Sequence, residues 1–218
     1  MIVVGYAIGV VLSYLIGSIT WGYLFGRLGG IDIRRWGSGN VGATNVARVL
    51  GGRRGVIVFV LDTLKGVAAA GLIGRCMGGI LGTDATLFLV FCCVAVILGH
   101  VFPCWLRFKG GKGVATALGA WLVLDPIATL IALGVWIVLV VVWRYVSLGS
   151  IAAAVALPVV VALLNRDNVD AALPQLLFAV VLSLLVLARH IGNIGRLIKG
   201  TESRIGAKRR PAKKPEDA

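Results

Sequence analysis

Cysteine is scarce in this chain, and the four present, Cys76, Cys92, Cys93 and Cys104, show neither metal-ligand spacing nor a disulfide framework. Three lie in apolar blocks and read as small buried hydrophobes. Cys104 stands near the end of an apolar block, where no base is placed by sequence to activate it as a thiol acyl carrier. Period-two alternation over successive ten-residue stretches is also missing, which excludes a β-barrel. The basic tail KRRPAKKPEDA has no interleaved aromatic residues, so a nucleic acid would find no stacking platform there. The first apolar stretch lacks a basic n-region and a small-residue cleavage site and is too long for a signal peptide; it reads as a retained helix. No metal and no other cofactor is implied.

What the chain has is apolar residues in long blocks. They make up 59% of it, with a mean hydropathy of +0.96, beyond what a soluble domain carries. A bilayer core of ~30 Å takes ~20 apolar residues per helix, and lipid leaves each backbone polar group to be bonded within its own segment. The expected fold class is therefore an all-α polytopic membrane protein. Spans are expected at residues 2–26, 55–74, 85–104, 127–143, 147–164 and 173–188. Residues 114–124 are apolar too, but at ~1.5 Å per residue they cover about half a bilayer core.

Charge decides that segment. Lys and Arg in short loops mark the cytoplasmic side. They fall in three groups: Arg27, Arg34, Arg35, Arg48, Arg53 and Arg54; Arg107, Lys109 and Lys112; and Arg196, Lys199, Arg204, Lys208, Arg209, Arg210, Lys213 and Lys214. All three share one side only if 114–124 crosses. This gives seven transmembrane helices, the N-terminus outside and the C-terminus cytoplasmic. Residues 1–200 form the membrane domain and residues 201–218 a basic, disordered tail. The formal net charge of +13 then needs no nucleic acid, since tail charges near anionic headgroups contribute ~1 kcal/mol each.

Polar residues gather in three places. In RRWGSGNVGATNVARVLGGRR, residues 34–54, Gly37, Gly39 and Gly42 free the backbone to converge on an anion. Ser38, Asn40, Thr44 and Asn45 add donors, and a short helix begins near Ala43 with Arg48 in its first two turns, a ready phosphate site. In GHVFPCWLRFKGGKGVAT, residues 99–116, Gly110, Gly111 and Gly113 surround Lys112 just before the short helix. The Walker pattern is not met, because Gly113 follows Lys112. At the end of the last span, Arg189, Asn193, Arg196 and Gly200 share a face if the helix continues, with His190 one position to the side. Glu202 is expected to neutralise a nearby arginine. Asp62 and Lys65, three residues apart inside the second span, either orient helices as an ion pair or mark a functional site.

Taken together, residues 17–48, 99–116 and 189–202 resemble the bacterial acyl-phosphate:glycerol-3-phosphate acyltransferase family, the PlsY type, which makes lysophosphatidic acid. One letter departs from the family pattern: Thr20 stands where GSIP-x-GY has proline. The resemblance implies a seven-helix enzyme of the bacterial cytoplasmic (inner) membrane with its active site facing the cytoplasm. By motif position it implies functional roles for Ser38, Asn45 and Arg48, for Gly110, Gly111, Lys112 and Gly113 at the glycerol phosphate, and for His190, Asn193 and Glu202.

The implied reaction is attack of the 1-hydroxyl of glycerol 3-phosphate on a fatty acyl phosphate, releasing phosphate. A separate soluble enzyme is the expected source of the donor, and membrane lipid is the remaining partner. A mixed anhydride has a good leaving group, so the task is to place two anions together and screen their repulsion. The expected catalytic set is Ser38, Arg48, Lys112, His190 and Asn193, with Ser38 and Asn193 donating to the donor phosphate or the oxyanion. The expected substrate contacts are Gly39, Asn40, Gly42, Thr44, Asn45, Lys109, Gly110, Gly111, Gly113, Thr116 and Arg196, with Asp62, Lys65 and Glu202 structural. The base is either His190 or the donor's own phosphate. The H-x-x-x-x-D pattern is absent after both His100 and His190. An organic-phosphate transporter is the competing reading, since intramembrane charges and helix N-termini facing anions occur in both.

Overall fold

The computed structural model describes residues 2–81 and 85–206, and among these every regular element is helical. Helices α1 (Ile2–Ser18) and α2 (Trp21–Leu28) are followed by α3 (Ala43–Leu50) and α4 (Gly52–Ala68). The axis of α4 continues as a π-helical stretch, Ala69–Met77, and a last turn, α5 (Gly78–Leu81). Then come α6 (Ala85–Val101), α7 (Val114–Leu124), α8 (Pro126–Trp143), α9 (Val146–Leu164), α10 (Val169–Arg189) and α11 (Ile191–Ile198). Among the described residues six helical stretches are long and apolar enough to cross a membrane, and α7 is too short to qualify by length.

The first expected span is not one helix. It breaks at Ile19–Thr20, where Thr20 leaves helical geometry (φ −100°, ψ 85°). A break frees carbonyls that lipid cannot satisfy. Lys65 Nζ satisfies them, donating to Gly17 O (2.9 Å) and Ile19 O (2.8 Å), and Thr20 Oγ1 donates to Ser18 O (3.1 Å). Lys65 also pairs with Asp62 Oδ1 at 2.9 Å, and His100 Nδ1 stands 3.5 Å from the same oxygen. The pair therefore ties α4 to the α1–α2 break and to the end of α6.

Glycines set the helix spacing. A Cβ on Gly17 would strike Val96 O and one on Gly99 would strike Tyr14 O, so α1 and α6 cross backbone to backbone. Gly66 and Gly119 do the same for α4 and α7 against Thr116 O and Thr63 O. Consequently α7 lies in the middle of the bundle, with Thr116, Ala120 and Trp121 buried and the Trp121 ring stacked on Phe178 at 5.1 Å. Asp125 ends α7 and caps α8, its carboxylate accepting from Ala128 N at 3.0 Å with Pro126 in the first turn.

The last span also turns where a straight continuation was expected. His190 (φ −107°, ψ 5°) is a corner between α10 and α11, so Arg189 does not share a helix face with Asn193 and Arg196. Beyond α11, residues 201–206 lie along the α8–α9 turn: Ile205 N donates to Arg144 O (2.8 Å) and Arg144 Nη2 to Ile205 O (2.7 Å). The expected tail boundary after residue 200 thus falls inside a bonded segment, and the basic stretch from Lys208 onward lies outside the described residues.

Candidate active site

Three segments distant in sequence meet at one end of the bundle. In the first, Asp32 opens a single helical turn, Ile33–Arg35, by accepting from Arg34 N (3.1 Å). The Arg34 guanidinium, at 2.7 Å, holds the Asp32 carboxyl down at about 2. Left-handed Gly37 (φ 62°) and Gly39 (φ 73°) then wrap the backbone around the buried side chain of Asn45. Asn45 Oδ1 accepts from Ser38 N (2.8 Å), and Nδ2 donates to Trp36 O (3.0 Å) and Asn40 O (2.8 Å). This corrects the expectation of a phosphate ligand: both amide hydrogens of Asn45 are used in bracing the loop. The Gly42 amide is likewise taken, by Asn40 Oδ1 at 2.8 Å, and Thr44 is exposed. Ser38, Gly39 and Asn40 face a cavity of about 310 Å³, whose other walls are Arg34, Lys109, Gly110 and Arg189.

The second segment carries Lys112. The Gly110 and Gly111 amides bond back to Val101 O (3.1 Å) and His100 O (3.0 Å), so neither is available to cradle an anion as the sequence led one to expect. These glycines are needed for room: a Cβ would meet His100 O and Pro103 Cδ at 110, and the His100 ring at 111. Their carbonyls accept from Arg189 Nη2 at 3.2 and 3.1 Å, clamping the turn from its other side. Gly113 (φ 84°) then starts α7, whose first-turn amides point to this end. Thr116, expected at the ligand, is fully buried where α7 crosses α4.

The third segment is the α10–α11 corner. His190 is 3% exposed, and its Nδ1 donates to Val186 O at 2.8 Å, which leaves Nε2 as the ring's acceptor. Lys112 Nζ donates to Asn193 Oδ1. Asn193 Nδ2 donates to Glu202 Oε1 (2.6 Å), Ser147 Oγ to the same oxygen (2.9 Å) and Arg196 Nε to Glu202 Oε2 (2.7 Å). Asn193 was expected to donate to substrate; its Nδ2 is instead turned to Glu202. Ser147, Arg189 and Arg34 were not singled out as site residues. Arg189 stood beside His190 in the motif, but Ser147 opens an apolar helix and carries no local signal.

Positive charge outweighs negative at this end of the bundle. Burial pulls Lys112 down to about 8, opposed by Glu202 and reinforced by Arg196, Arg189 and Arg48. Four cations thus stand against one carboxylate. Burial also lowers Arg48, with Glu202 opposing. Burial and then Lys112 push His190 down to about 4, so the ring is neutral at neutral pH. Burial raises the Glu202 carboxyl, but the hydrogen bonds from Asn193, Arg196 and Ser147 overcome it and hold the group ionised. Among the described residues no group of His, Cys, Asp and Glu side chains is arranged to hold a metal ion.

Fold and site define an α-helical integral membrane protein with a cation-lined pocket at one end of its bundle. Residues 7–200 match the family model described as glycerol-3-phosphate acyltransferase, and the chain belongs to that family. A glycerol-3-phosphate acyltransferase of Desulforamulus reducens is 48% identical over 198 residues, covering 90% of this chain and 94% of that one. Its counterpart in Trichlorobacter lovleyi is 47% identical, covering 89% and 95%. The crystal structure of PlsY (YgiH), an integral membrane glycerol 3-phosphate acyltransferase, in its glycerol 3-phosphate form, is 41% identical with a TM-score of 0.81, covering 92% of this chain and 96% of that one. The lysophosphatidic acid form of PlsY gives 40% and 0.78.

Proposed function

We propose that this chain transfers a fatty acyl group from acyl phosphate to the 1-hydroxyl of glycerol 3-phosphate, giving lysophosphatidic acid and inorganic phosphate. The observation that carries this reading is the gathering of Arg48, Arg189 and Arg196 about Lys112, with Glu202 the one carboxylate acting on it. Such an excess of positive charge, on side chains that are half-buried at Arg48, Lys112 and Arg189, is stabilised by bound anions, and two phosphates side by side supply them. In the step itself the hydroxyl oxygen bonds to the acyl carbon, the bond from that carbon to the phosphate oxygen breaks, and the hydroxyl proton leaves with the phosphate. His190 Nε2 holds the hydroxyl, while its low pKa gives the proton to a phosphate oxygen by preference. Lys112 and Arg48 hold the acceptor phosphate; Ser38 and Asn40 meet the donor in the adjoining cavity.

The setting we propose is the cytoplasmic face of the bacterial inner membrane, reached by seven crossings with the N-terminus outside. Support comes from α8. Its C-terminal neighbour Arg144 bonds residue 205 at the site end, and its 18 residues span about 27 Å. Its start at Asp125 then belongs to the opposite face, so α7, entered from Lys112 at the site end, carries the chain across. The acyl phosphate comes from a separate soluble enzyme. A transporter of organic phosphate is less well supported, because the intramembrane charges Asp62 and Lys65 neutralise each other and hold helix ends.

Purified protein in detergent, given acyl phosphate and glycerol 3-phosphate, is expected to release phosphate and form lysophosphatidate in equal amounts. Absence of both products sinks the reading.

A further inference from the structure

The geometry points to Arg144, in the α8–α9 turn, and Ser147, in the first turn of α9, as positioning residues that hold the 201–206 strap in place so that Glu202 orients Asn193 and, through it, Lys112. This rests on the reaction proposed above. From α11, Asn193 and Arg196 bond the Glu202 carboxylate at 2.6 and 2.7 Å, and the backbone that carries it needs a second hold. Glu202 lies on a short segment beyond Gly200 (φ 66°), whose backbone returns to α11 through Gly200 N to Leu197 O (3.1 Å) and through Thr201 N and Oγ1 to Arg196 O (2.8 and 3.4 Å).

That second hold comes from the α8–α9 turn and the start of α9. Arg144, itself in a left-handed conformation (φ 62°), exchanges two hydrogen bonds with Ile205, one through its backbone oxygen and one through its guanidinium. Arg204 lies over the Tyr145 ring at 5.2 Å and donates to Tyr145 OH at 3.0 Å. Ser147 Oγ completes the clasp by donating to Glu202 Oε1 at 2.9 Å. The segment is therefore gripped on both sides of Glu202, and the carboxylate is left 7% exposed.

The consequence for Lys112 follows from the chemistry of an amide. Asn193 can present either its oxygen or its NH₂ to Lys112, and only the oxygen accepts from an ammonium. Glu202 Oε1, an acceptor, draws Nδ2 to itself at 2.6 Å and so turns Oδ1 toward Lys112 Nζ. Release of the strap removes that bias and also withdraws the one negative charge among the groups facing Lys112, which are Glu202 on the strap, Arg196 on α11, Arg189 and His190 at the corner and Arg48 on α3. Lys112 is then less firmly held and loses its proton more readily.

Full-length wild type, Arg144→Ala, Ser147→Ala and Ser147→Thr are compared in detergent with acyl phosphate and varied glycerol 3-phosphate across the alkaline pH range. Wild-type turnover is the control on the reaction itself; if it is absent, the proposed function fails and not the strap. Arg144→Ala and Ser147→Ala are each expected to raise KM for glycerol 3-phosphate about tenfold, the equivalent of one hydrogen bond to a charged group, with kcat changed less. Both are expected to move the alkaline limb of kcat/KM to lower pH, and Ser147→Thr, which keeps the hydroxyl, to restore both readouts. KM and alkaline limb at wild-type values in both alanine variants overturn the inference. So does a fall in folded protein and kcat together, with KM and the limb unmoved.

Discussion

His190 stands at the corner where α10 turns into α11, buried and bonded through Nδ1, with Lys112 and Arg189 close enough to lower its basicity. A ring held near 4 is neutral throughout the working range, so its own titration lies well below the ordinary histidine value. Substrate phosphates lose their second proton near ~6. An acid limb of kcat/KM near that value is therefore expected to belong to the substrates and to persist in His190→Asn, measured as initial rates against pH; a limb that vanishes in the variant assigns it to the ring. Lys112 works in the other direction. Its pKa of about 8 in the free protein means that the cation is present below that pH and lost above it. Affinity for glycerol 3-phosphate is expected to fall as pH rises through about 8, and bound phosphate, which favours the charged form, to move the limb in kcat to higher pH.

At the level of elements, the α1–α2 break shows how a missing proline is accommodated. Thr20 keeps its amide, yet the chain still breaks, because Lys65 takes the carbonyls of Gly17 and Ile19 while Asp62 balances its charge. Lys65→Met strands the Asp62 carboxylate among apolar helices and frees two carbonyls. A loss of about 3–5 kcal/mol is expected, read as a lowered midpoint of thermal unfolding in detergent. The double variant Asp62→Asn, Lys65→Met is expected to recover part of it, since no unpaired charge remains. The second span was expected as an ordinary helix over residues 55–74; it starts at Gly52 and passes into π-helix at Ala69. Nothing in its apolar run distinguishes the two windings.

For the whole molecule, the site exists because loops separated by long stretches of chain end on one side of the bundle. Cysteines introduced in place of Arg35 and Lys199, in a background without the native cysteines, test that arrangement with an impermeant thiol reagent on sealed vesicles. Both are expected to react from the same, cytoplasmic side. Reaction from opposite sides means an odd number of crossings between them and removes α7 as a membrane-crossing helix, and with it the placement of Lys112 at a helix start facing the cytoplasm.

Apolar run length and backbone hydrogen bonding determined from sequence alone that this is a helical membrane protein, and where most of its spans lie. Local chemistry also marked the three polar segments, since glycines, amides and cations crowd there against an otherwise apolar chain. What each of those residues does was decided only by tertiary contact. Asn45 spends its amide inside its own loop, Gly110 and Gly111 give room to His100 instead of amides to a ligand, and Thr116 packs between helices. Ser147 meets Glu202 across 55 residues and Lys112 meets Asn193 across 81. Hydrogen-bond capacity belongs to a residue type, but the partner that consumes it is chosen by packing, and packing of helices is a property of faces brought together from far along the chain.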